Sequence, residues 1–467
     1  MSQELVAIVM AAGKGTRMKS DLPKVLHPIA GEPLLGHVLL RVEGIGAQKT
    51  YVIVGHGGDK VREMLPGTSQ AVEQKEQLGT GHAVDQVSPH LEGFQGTVVI
   101  LSGDVPLLSD ATLAALLKAH MDTKATLSLL TAHMHDPGSL GRVLRGPNGK
   151  VTGIVEFKDA TADQRAIREI NVGTYVCSWP HLSAALKNLT PNNAQGEYYL
   201  TDAIAAIAGG GHTVASHTSN DPWEGAGVNT RAELAALQTE YNRRTAAHWM
   251  AEGVTFTGPE STVVGPRVTL GRDCVVEQGA IILGRTSIGD RCIIGAYSQL
   301  RDMSVGDDVE ILHSYLVDSS IGDGAHVGPY AHLRAHAAVG KNTRIGNFVE
   351  IKNSTLGDGT KAAHLAYLGD ATIGKKVNIG CGVITVNYDG MRKCRTTVED
   401  GAFVGSNSNL IAPVTVHADG YVAAGSTITE DVPAGALAVG RGRQANKEGW
   451  VAKRRGAQAA TSSRDQG

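Results

Sequence analysis

The feature that most constrains the fold of this chain is a six-residue repeat in its second half. An aliphatic residue followed by glycine recurs there at Ile321-Gly322, Val327-Gly328, Val339-Gly340 and Ile345-Gly346. The same pair recurs with this spacing at Val264-Gly265, Leu270-Gly271, Ile288-Gly289, Ile294-Gly295, Ile373-Gly374 and Ile379-Gly380. A short fixed period predicts stacked units that each bury their apolar side chains only against their neighbours.

A period of six residues matches neither a helix nor a stack of hairpins. It fits short strands that turn one aliphatic side chain inward and end at a corner, where Gly, Asn and Asp tolerate positive φ. The pattern resembles that of the hexapeptide-repeat family, whose members fold as a left-handed parallel β-helix. The left hand is implied by the resemblance alone, because parallel crossovers are right-handed as a rule. The alternative is a glycine-rich β-domain of another kind.

The composition agrees with such a core and limits the partners. The 467 residues allow two or three domains. Glycine contributes 58 residues, well above an average of roughly 7%, and only 4% of the residues are aromatic. The formal net charge of −3 argues against a nucleic-acid partner, so we expect any phosphate recognition to be local.

The cysteines and the first residues favour a soluble protein of the cytoplasm. The cysteines are scattered without a Cys-x-x-Cys pair, at Cys177, Cys274, Cys292, Cys381 and Cys394, which favours a reducing compartment. The apolar run from Leu5 to Met10 stops at Ala-Ala-Gly and is too short for a signal peptide. No run approaches the length that spans a bilayer, so we expect no membrane partner.

The first half opens with a strand and a loop of small and cationic residues. The continuous apolar run predicts a buried strand, which Ala11-Ala12-Gly13-Lys14-Gly15-Thr16-Arg17-Met18 follows directly. Backbone N–H groups of small residues can face phosphate oxygens, and Lys14, Arg17 and Lys24 add positive charge. The loop matches neither a Walker motif nor a dinucleotide fingerprint. We expect it to bind phosphate; the alternative is an ordinary turn between a strand and a helix.

Helices and strands alternate after this loop. Helices are predicted at 33–43 and 79–87, and strands at 50–54 and 98–101. This order predicts a mostly parallel, Rossmann-like sheet, in which ligands bind beyond the carboxyl ends of the strands. Asp104 follows such a strand end, so we expect it to bind Mg²⁺ together with substrate phosphates. The alternative is an aspartate that serves a turn or a helix cap.

Longer motifs indicate a family. The loop at 11–18 with Leu22-Pro23-Lys24 resembles the signature of sugar-1-phosphate nucleotidyltransferases. The likeness extends to Glu76-Gln77-Leu78-Gly79-Thr80-Gly81-His82-Ala83, Val151-Thr152-Gly153-Ile154-Val155-Glu156 and Gln195-Gly196-Glu197-Tyr198-Tyr199-Leu200-Thr201-Asp202. With the hexapeptide half behind them, residues 5 to 450 resemble the bacterial bifunctional N-acetylglucosamine-1-phosphate uridyltransferases and glucosamine-1-phosphate acetyltransferases.

The resemblance implies the domain organisation. An α/β Rossmann-like nucleotidyltransferase domain would cover residues 1–229. A left-handed parallel β-helix acetyltransferase domain with a basic C-terminal tail would cover residues 253–467. Between them a helical linker is expected at 230–252, because Thr230 and Glu233 form a capping box and apolar residues recur behind it at helical spacing.

The resemblance also implies roles in the first half. The substrates would be UTP and N-acetylglucosamine-1-phosphate, whose phosphate oxygen attacks the α-phosphorus of UTP and releases pyrophosphate. Mg²⁺ would be held by Asp104 and Asn229. Substrate contacts are implied for Ala11, Ala12, Gly13, Gln74, Gly79 and Thr80 with the uridine, Lys24 with the phosphates, Ser102 and Gly103 beside them, and Gly141, Glu156 and Asn171 with the sugar. Ser102 is a departure, because some relatives are expected to have an aromatic residue there.

A second site is predicted in the β-helix. The six-residue period fails between residues 380 and 404, and 387–393 are predicted to form an exposed loop, which in repeat proteins often marks the binding face. His364 clusters with Glu350 and Tyr367 within two turns of the repeat, so it is a candidate general base near neutral pH. The alternative is a structural histidine, which is the commoner role.

The resemblance assigns this second site the acetylation of glucosamine-1-phosphate by acetyl-CoA. His364 would deprotonate the amine that attacks the thioester, and Glu350 would support the histidine. Further contacts are implied for Arg334, Lys352, Tyr367 and Asn378 with the sugar phosphate, and for Cys381, Asn387, Tyr388, Ser406, Ala424 and Arg441 with acetyl-CoA. A homotrimer packed through the β-helices is implied as well.

Two departures and two alternatives stay open from the sequence. Ala335-His336 follow Arg334 where relatives are expected to have Pro-Gly, and Cys381 stands where a small residue is usual. The chain could be a uridyltransferase whose β-helix is only a scaffold, or a sugar-nucleotide sensor without catalysis. His364 argues against the scaffold, and the pair of Lys24 and Asp104 argues against the sensor.

Overall fold

The computed structural model describes residues 4–462, and their side chains as far as residue 458. The chain divides into two compact units, one of residues up to 268 with 281–285, the other of 269–280 with the residues from 286 onward. The helix expected between the predicted domains lies within the first unit. No helix in the described part of the chain is both long enough and apolar enough to cross a membrane.

The first unit contains a mixed nine-stranded sheet, in which four of the eight strand pairs are parallel, and a separate two-stranded sheet of Pro28–Ile29 and Glu32–Pro33. Its strands are β1 (Leu5–Met10), β2 (Pro28–Ile29), β3 (Glu32–Pro33), β4 (Lys49–Val54), β5 (Ser69–Glu73), β6 (Thr97–Ser102), β7 (Leu127–His133), β8 (Arg142–Arg145), β9 (Val151–Val155), β10 (Glu169–Ser178) and β11 (Val214–Ser219). Its helices are α1 (Leu34–Gly44), α2 (Gly58–Met64), α3 (Thr80–Asp85), α4 (Asp110–Asp122), α5 (Ala162–Arg165), α6 (Trp179–Leu186), α7 (Leu200–Gly209) and α8 (Arg231–Ala251). The strand order is β11-β7-β10-β6-β1-β4-β5, with β8 and β9 as a hairpin beside β10.

Strand β1 lies at the centre of this sheet, and this position explains why the strand is apolar throughout. It pairs in parallel with β4 and β6, which confirms the predicted Rossmann-like arrangement. Ile8 faces one hydrophobic core and Val9 the other, so both faces of the strand are covered. A strand buried on both faces needs an apolar residue at every position. Met10 lies opposite Ser102 on β6, so the turns after both strands leave the same edge of the sheet.

Helix α8 is fixed by its first turn and by its apolar face. Thr230 Oγ1 accepts from the Glu233 N–H (3.2 Å) and Glu233 Oε2 accepts from the Thr230 N–H (2.9 Å), which confirms the predicted capping box. Leu237 packs in a small core with Leu107 and Val228. The helix therefore packs against the residues that follow Asp104 and precede Asn229.

The remaining strands are short. They are β12 (Thr255–Phe256), β13 (Val263–Val264), β14 (Thr269–Leu270), β15 (Val275–Val276), β16 (Ile281–Leu283), β17 (Ser287–Ile288), β18 (Ile293–Ile294), β19 (Gln299–Val305), β20 (Glu310–Ile311), β21 (Tyr315–Ile321), β22 (His326–Val327), β23 (His332–Arg334), β24 (Ala338–Val339), β25 (Arg344–Asn347), β26 (Glu350–Lys352), β27 (Thr355–Leu356), β28 (Lys361–His364), β29 (Tyr367–Gly369), β30 (Ala371–Ile373), β31 (Asn378–Ile379), β32 (Ile384–Val386), β33 (Thr396–Val398), β34 (Phe403–Val404), β35 (Asn409–Ile411), β36 (Val414–Val416), β37 (Tyr421–Val422), β38 (Thr427–Ile428) and β39 (Leu437–Ala438). Helix α9 (Trp450–Ser462) follows them.

From β17 onward these strands lie in the second unit and stack there into parallel ladders. One ladder runs β18-β20-β22-β25-β28-β31-β34-β37-β39, a second β21-β24-β27-β30-β33-β36 and a third β23-β26-β29-β32-β35-β38. Three ladders of short parallel strands joined at corners form a parallel β-helix, as the six-residue period predicted. Asn342 and Asp419 have φ near +54°, which confirms the role expected of Asn and Asp at corners.

The interior of the β-helix is a set of aliphatic columns. Leu316, Leu333, Ile351 and Leu368 lie in register on successive coils, and each is fully buried. Val327 pairs with Ile345, three hexapeptides further on, whereas Ile379 pairs with Val404 across a longer coil. The extra residues of that coil form the predicted loop, closed by an antiparallel bridge between Tyr388 and Lys393.

Replacing Ile351 with Ala is expected to destabilise the protein by about 2–5 kcal/mol, because it empties part of a column that cannot collapse. A urea titration followed by circular dichroism measures the change in the free energy of unfolding. Ile384→Ala is the matched control, since that isoleucine is 42% exposed and its loss should cost no more than ~0.5 kcal/mol. Equal losses in the two variants would contradict the burial account.

Candidate active sites

The first site begins where β1 and β6 end side by side. The Gly103 N–H donates to the Met10 carbonyl and the Ala11 N–H donates to the Ile53 carbonyl, both at 2.9 Å. A Cβ added at Gly103 would lie 3.0 Å from the Met10 carbonyl oxygen, so the turn after β6 needs a residue without a side chain. This close approach brings the loop after β1 next to Asp104.

An open cavity of about 450 Å³ gathers most of the residues predicted to contact the nucleotide. Its lining includes the predicted residues Ala11, Ala12, Gly13, Lys24, Gln74, Gly79, Thr80, Ser102 and Asp104. It also includes Lys14, one of the cations of the predicted phosphate-binding loop, and residues for which the sequence predicted no substrate contact, namely Met10, Val25, Gln77, Ala83 and Glu197. Each of these residues lies inside one of the family motifs or next to a predicted residue. Their position in the sequence could therefore have identified them as candidates.

The far wall of the cavity joins two motifs that are distant in the sequence. Gly79 has a φ of +117°, and an added Cβ would lie 2.5 Å from the Tyr198 carbonyl oxygen, so only glycine fits. The Leu200 N–H donates to Thr80 Oγ1 at 3.0 Å. Gln74 is buried, and its Nε2 donates to the Gly79 carbonyl at 3.1 Å. The motifs around residues 79 and 198 therefore form one rigid wall.

Lys24 connects the two residues predicted to bind Mg²⁺. Its Nζ donates to Asp104 Oδ2 and, at 3.3 Å, to Asn229 Oδ1. The Val228 N–H donates to the Asp104 carbonyl at 3.1 Å, and the Asn229 N–H donates to Glu233 Oε2 at 2.6 Å. Asn229 is thus tied on one side to the turn after β6 and on the other to the cap of α8.

This oxygen pair fits a hard divalent cation. Mg²⁺ takes oxygen ligands and is usually bound through one or two carboxylates and substrate phosphates while it keeps several waters. Asp104 Oδ2 and Asn229 Oδ1 already converge on one cationic group, the Lys24 ammonium. Within the described residues no group of three or more His, Cys, Asp or Glu side chains could hold a metal.

The residues predicted for the sugar form a cluster next to the cavity. The Asn171 N–H donates to the Gly141 carbonyl at 3.0 Å, and a Cβ added at Gly141 would lie 3.4 Å from Glu156 Oε2. Asn171 Oδ1 accepts from the Gly173 N–H at 3.1 Å. Gly173 has a φ of +82°, and an added Cβ would lie 3.2 Å from Ser102 Oγ of the cavity lining. Gly141, Glu156 and Asn171 therefore lie together and reach the cavity through Ser102.

Glu156 is a half-buried carboxyl group with an altered acidity. Burial raises the pKa of Glu156, and the negative charges of Asp159 and Asp202 raise it further, although a hydrogen bond from Thr201 acts in the opposite direction. Thr201 Oγ1 donates to Glu156 Oε1 at 3.3 Å. Glu156 Oε2 can accept a hydrogen bond from a sugar hydroxyl, which would compensate for the cost of burying the carboxylate.

The second site lies on the β-helix, where His364 ends strand β28. Asn347 lies in register on the preceding coil, and its Oδ1 is 2.8 Å from His364 Nδ1. With the amide oxygen facing the ring, Nδ1 carries the proton and Nε2 keeps its lone pair. An exposed imidazole in this state can accept a proton from an amine. Sequence reasoning gave Asn347 no role, although the repeat period places it one coil before His364.

Glu350 pairs with an arginine in this structure. Its Oε1 accepts from Arg334 Nε at 2.8 Å and lies 2.7 Å from Arg334 Nη2. The register places Lys352 next to Arg334 and Tyr367 next to Glu350 on neighbouring strands. Three of the four residues predicted for the sugar phosphate therefore share one outer face with Glu350. The support of His364 by Glu350 stays a prediction.

Asp370 anchors the cationic side of this face, a role that sequence reasoning missed. It accepts from Lys352 Nζ at 3.3 Å, from Asn353 Nδ2 at 2.5 Å and from Asn387 Nδ2. Burial alone would raise the pKa of Asp370, but these hydrogen bonds lower it overall. The pKa of Lys393 is lowered, because Lys393 is hydrogen-bonded to Lys352 and is repelled by its positive charge. Positive charge is therefore concentrated on this face, where Lys352 and Lys393 lie near Asp370 and Arg334 is paired with Glu350.

Four of the six residues predicted for acetyl-CoA lie along one corner of the β-helix. Backbone hydrogen bonds of 2.7–2.9 Å join successive coils at this corner, from Gly382 to Leu365, from Asn407 to Cys381 and from Gly425 to Ser406. A Cβ added at Gly425 would lie 3.9 Å from Arg441 Cδ. The corner therefore brings together His364, Cys381, Ser406, Ala424 and Arg441.

Three predicted residues lie off this corner. Asn378 is on β31, opposite Lys361 and Phe403. Asn387 is buried, with its side chain on Asp370. Tyr388 is exposed at the start of the long loop, where its Oη donates to the Gly390 carbonyl at 2.7 Å.

The two sequence departures have local structural consequences. Ala335 and His336 have φ of 51° and 62°, a region that favours glycine. Proline, whose φ is fixed at about −65°, cannot adopt the conformation of Ala335, so the backbone here differs from the one that Pro-Gly would give. His336 Nδ1 lies 3.0 Å from Asp318 Oδ2, and Arg334 still pairs with Glu350. Cys381 is a free, half-buried thiol in the corner described above.

Comparisons with known proteins agree with this two-part organisation. Residues 7–167 match the model of the MobA-like NTP transferase domain, and residues 267–302 and 318–353 match that of the bacterial transferase hexapeptide repeats. The chain is 51% identical to the bifunctional protein GlmU of Exiguobacterium sibiricum over 94% of this chain and 98% of the relative. It is 48% identical to the protein of that name from Geobacillus thermodenitrificans over 96% of this chain and 98% of the relative.

A prediction follows from the burial of Glu156. Glu156→Gln is expected to stabilise the free protein at neutral pH, because an amide at this position carries no buried charge. The raised pKa means that the folded protein binds the proton more tightly than the unfolded chain, so wild-type stability falls as pH rises above the unfolded value of about 4.3. The gain in melting temperature should therefore shrink as pH falls toward that value.

Thermal melts of both proteins across this pH range measure the difference. Glu76→Gln is the control, because Glu76 is exposed and its neutralisation should leave the melting temperature unchanged. A gain for Glu156→Gln that stays constant with pH would contradict the assignment of the effect to ionisation.

Proposed function

The chain belongs to the family of bifunctional GlmU proteins, and we propose that the two sites described above carry its two reactions. The chain is an enzyme that acetylates glucosamine-1-phosphate with acetyl-CoA and transfers a uridylyl group from UTP to N-acetylglucosamine-1-phosphate. The first unit carries the uridylyl transfer, within residues 1–229 and with α8 behind them. The hexapeptide domain of residues 253–467 carries the acetylation.

The observation that supports the first assignment is the meeting of Lys24, Asp104 and Asn229 at the edge of the cavity. In the reaction a phosphate oxygen of the sugar attacks the α-phosphorus of UTP, and the bond from that phosphorus to pyrophosphate breaks. Such a transfer leaves the protein little covalent work, so positioning and charge neutralisation supply the rate. Cationic and backbone donors around a single carboxylate suit this task.

The other lining residues divide the substrates between them. The backbone of Ala11, Ala12 and Gly13 holds the nucleotide, and the wall of Gln74, Gly79 and Thr80 encloses its base. The Ala11 N–H is bonded to the Ile53 carbonyl, so the N–H groups of Ala12 and Gly13 are the donors. Gly141, Glu156 and Asn171 orient the sugar. Asp104 and Asn229 would hold Mg²⁺, and the ion would supply charge neutralisation at the phosphate oxygens. Lys24 then pairs with the phosphates, while Ser102 and Gly103 form the floor between nucleotide and sugar.

The second assignment is supported by the corner that contains His364. Nε2 of His364 accepts a proton from the amine of glucosamine-1-phosphate as the nitrogen attacks the thioester carbon. The carbon–sulfur bond breaks, and the departing sulfur takes up a proton to give free CoA. Asn347 holds the imidazole ring in orientation through Nδ1.

The substrates of the acetylation lie on either side of His364. Arg334, Lys352, Tyr367 and Asn378 bind the sugar phosphate, and Glu350 keeps Arg334 in position. Acetyl-CoA follows the corner formed by Cys381, Ser406, Ala424 and Arg441, with Asn387 and Tyr388 beside it. Lys393 adds a further cation for the phosphate.

We assign a homotrimer, supported by an exposed stripe next to His364. The rings of Tyr297, His313, Tyr330 and Phe348 stack on successive coils, with centroids 5.9, 4.8 and 5.3 Å apart. Tyr330 and Phe348 are more than half exposed. A contiguous exposed apolar stripe usually marks a contact surface. Its cover by a neighbouring subunit would also enclose the acetylation site, since Phe348 follows Asn347 directly.

The cysteines support a cytoplasmic enzyme. Cys177, Cys274, Cys292, Cys381 and Cys394 are all free thiols. Free thiols in a protein with several cysteines suit a reducing compartment.

The two-site model predicts that single substitutions separate the activities. Asp104→Asn should lower pyrophosphate release from UTP and N-acetylglucosamine-1-phosphate by about 10²-fold or more, because it removes a charged ligand. His364→Ala should lower thiol release from acetyl-CoA by about 10²–10⁴-fold, the usual contribution of a general base. Each variant should retain the other activity.

Two controls test whether these losses are local. Asp122→Asn removes an exposed carboxylate of α4, and His326→Ala removes an exposed histidine that pairs with Glu310. Both should keep both activities. If Asp104→Asn also stops thiol release, or His364→Ala leaves it intact, the assignment of one reaction to each site is wrong.

A further inference from the structure

The Lys24 ammonium occupies the place that the divalent cation would take. Its Nζ contacts Asp104 Oδ2 and Asn229 Oδ1, the latter at 3.3 Å. These are the two oxygens assigned to Mg²⁺ in the proposed function, on which this inference rests. Lys24 therefore has two alternative partners, the metal-binding pair and the substrate phosphates.

The surroundings of Lys24 keep it on the metal-binding pair. The side chains of Lys24 and Asp104 are only 14% and 19% exposed. Gly15 has a φ of +59° and lies so close to the lysine stem that an added Cβ would be 2.7 Å from Lys24 Cβ. Removing one partner from an ion pair that is largely shielded from water is costly unless another charge replaces it.

An ammonium group and a divalent cation exclude each other at these oxygens. Mg²⁺ lies about 2.0–2.1 Å from its ligands, and a charge-assisted hydrogen bond places nitrogen about 2.7–2.9 Å from oxygen. On the same oxygens the two cations would be no more than about 5 Å apart and would repel each other. Entry of the metal therefore requires the lysine to leave.

A nucleotide gives the departing lysine a new partner. Lys24 lines the same cavity as Ala11, Ala12 and Gly13, where the phosphates are expected. A metal ion alone replaces Lys24 on the Asp104 carboxylate, but it leaves the largely shielded Lys24 ammonium without a partner. When a triphosphate is present, its oxygens receive the ammonium as the carboxylate is released. Metal and nucleotide affinities are then coupled, and the coupling is reciprocal.

We propose that Lys24 is a built-in competitor for the metal, which keeps Asp104 and Asn229 closed to divalent cations until a nucleoside triphosphate draws its side chain away.

The test measures metal affinity directly in the protein without nucleotide. Free Mn²⁺ is followed by electron paramagnetic resonance as the full-length protein is titrated, for wild type and for Lys24→Met. Lys24→Met should bind Mn²⁺ at least about tenfold more tightly than wild type, which corresponds to ~1.4 kcal/mol. The titrations are then repeated with UTP, and the Mn²⁺ that UTP binds without protein is subtracted. After this correction, UTP should tighten Mn²⁺ binding by wild type and should tighten it far less in Lys24→Met.

Matched variants separate displacement from a general loss of positive charge. Lys14→Met removes a cation from the same cavity, but from an exposed side chain, and should leave Mn²⁺ affinity close to that of wild type. Asp104→Asn should abolish the tight site in the Lys24→Met background, which identifies that site. Circular dichroism verifies that each variant is folded.

The outcomes distinguish this inference from the function on which it rests. If Lys24→Met binds Mn²⁺ no more tightly than wild type, or if Lys14→Met gains as much, Lys24 is not a competitor for the metal. In that case wild type would still release pyrophosphate. If wild type neither releases pyrophosphate nor tightens Mn²⁺ binding with UTP, the proposed uridyltransfer site itself is wrong.

Discussion

Both sites depend on one constraint, the fixed register of parallel strand pairing. In the first unit, Met10 lies opposite Ser102, and this register places the loop after β1 beside the turn that carries Asp104. In the second unit, the register of successive coils aligns Asn347 with His364. A shift of one residue would turn every side chain of a strand to the opposite face. The apolar residues that fix the register therefore also position the chemistry.

Three cations that are expected to bind phosphate form ion pairs with carboxylates in this structure. Lys24 contacts Asp104, Lys352 contacts Asp370, and Arg334 contacts Glu350. A partly buried cation without a partner would lose hydration and gain nothing in return. In each pair the carboxylate holds the cation in position and offsets the cost of its partial burial. A substrate phosphate can then replace the carboxylate as the partner of the cation. In this account the carboxylates position the phosphate-binding cations at both sites.

Local and periodic features could be predicted from the sequence, whereas most long-range pairings could not. The apolar run of β1, the capping box at Thr230 and the six-residue period each have a local physical cause, and the structure confirms them. The contact of Lys24 with Asn229 joins residues 205 positions apart and depends on how α8 packs. The motif resemblance identified both residues as candidates, but it did not predict the hydrogen bond between their side chains.

The same limit applies on the β-helix. The period predicts that neighbouring coils stack, but coils differ in length, so it does not say which side chains meet. The period did not predict that Glu350 pairs with Arg334, whereas the expected support of His364 by Glu350 stays a prediction. Asp370 was missed, because an aspartate near a corner of a repeat is usually a turn residue. The comparisons supply the family and hence the two activities; the residue roles at both sites are still proposals.

The central claim is that one chain holds two separate active sites linked by a diffusible intermediate. Its most direct test is complementation between Asp104→Asn and His364→Ala, supplied with glucosamine-1-phosphate, acetyl-CoA and UTP. Neither variant alone should make UDP-N-acetylglucosamine, and an equimolar mixture should make it, because acetylated sugar phosphate from the first variant reaches the intact uridyltransfer site of the second. A mixture that makes no product, although each variant retains its own partial reaction, would contradict the account.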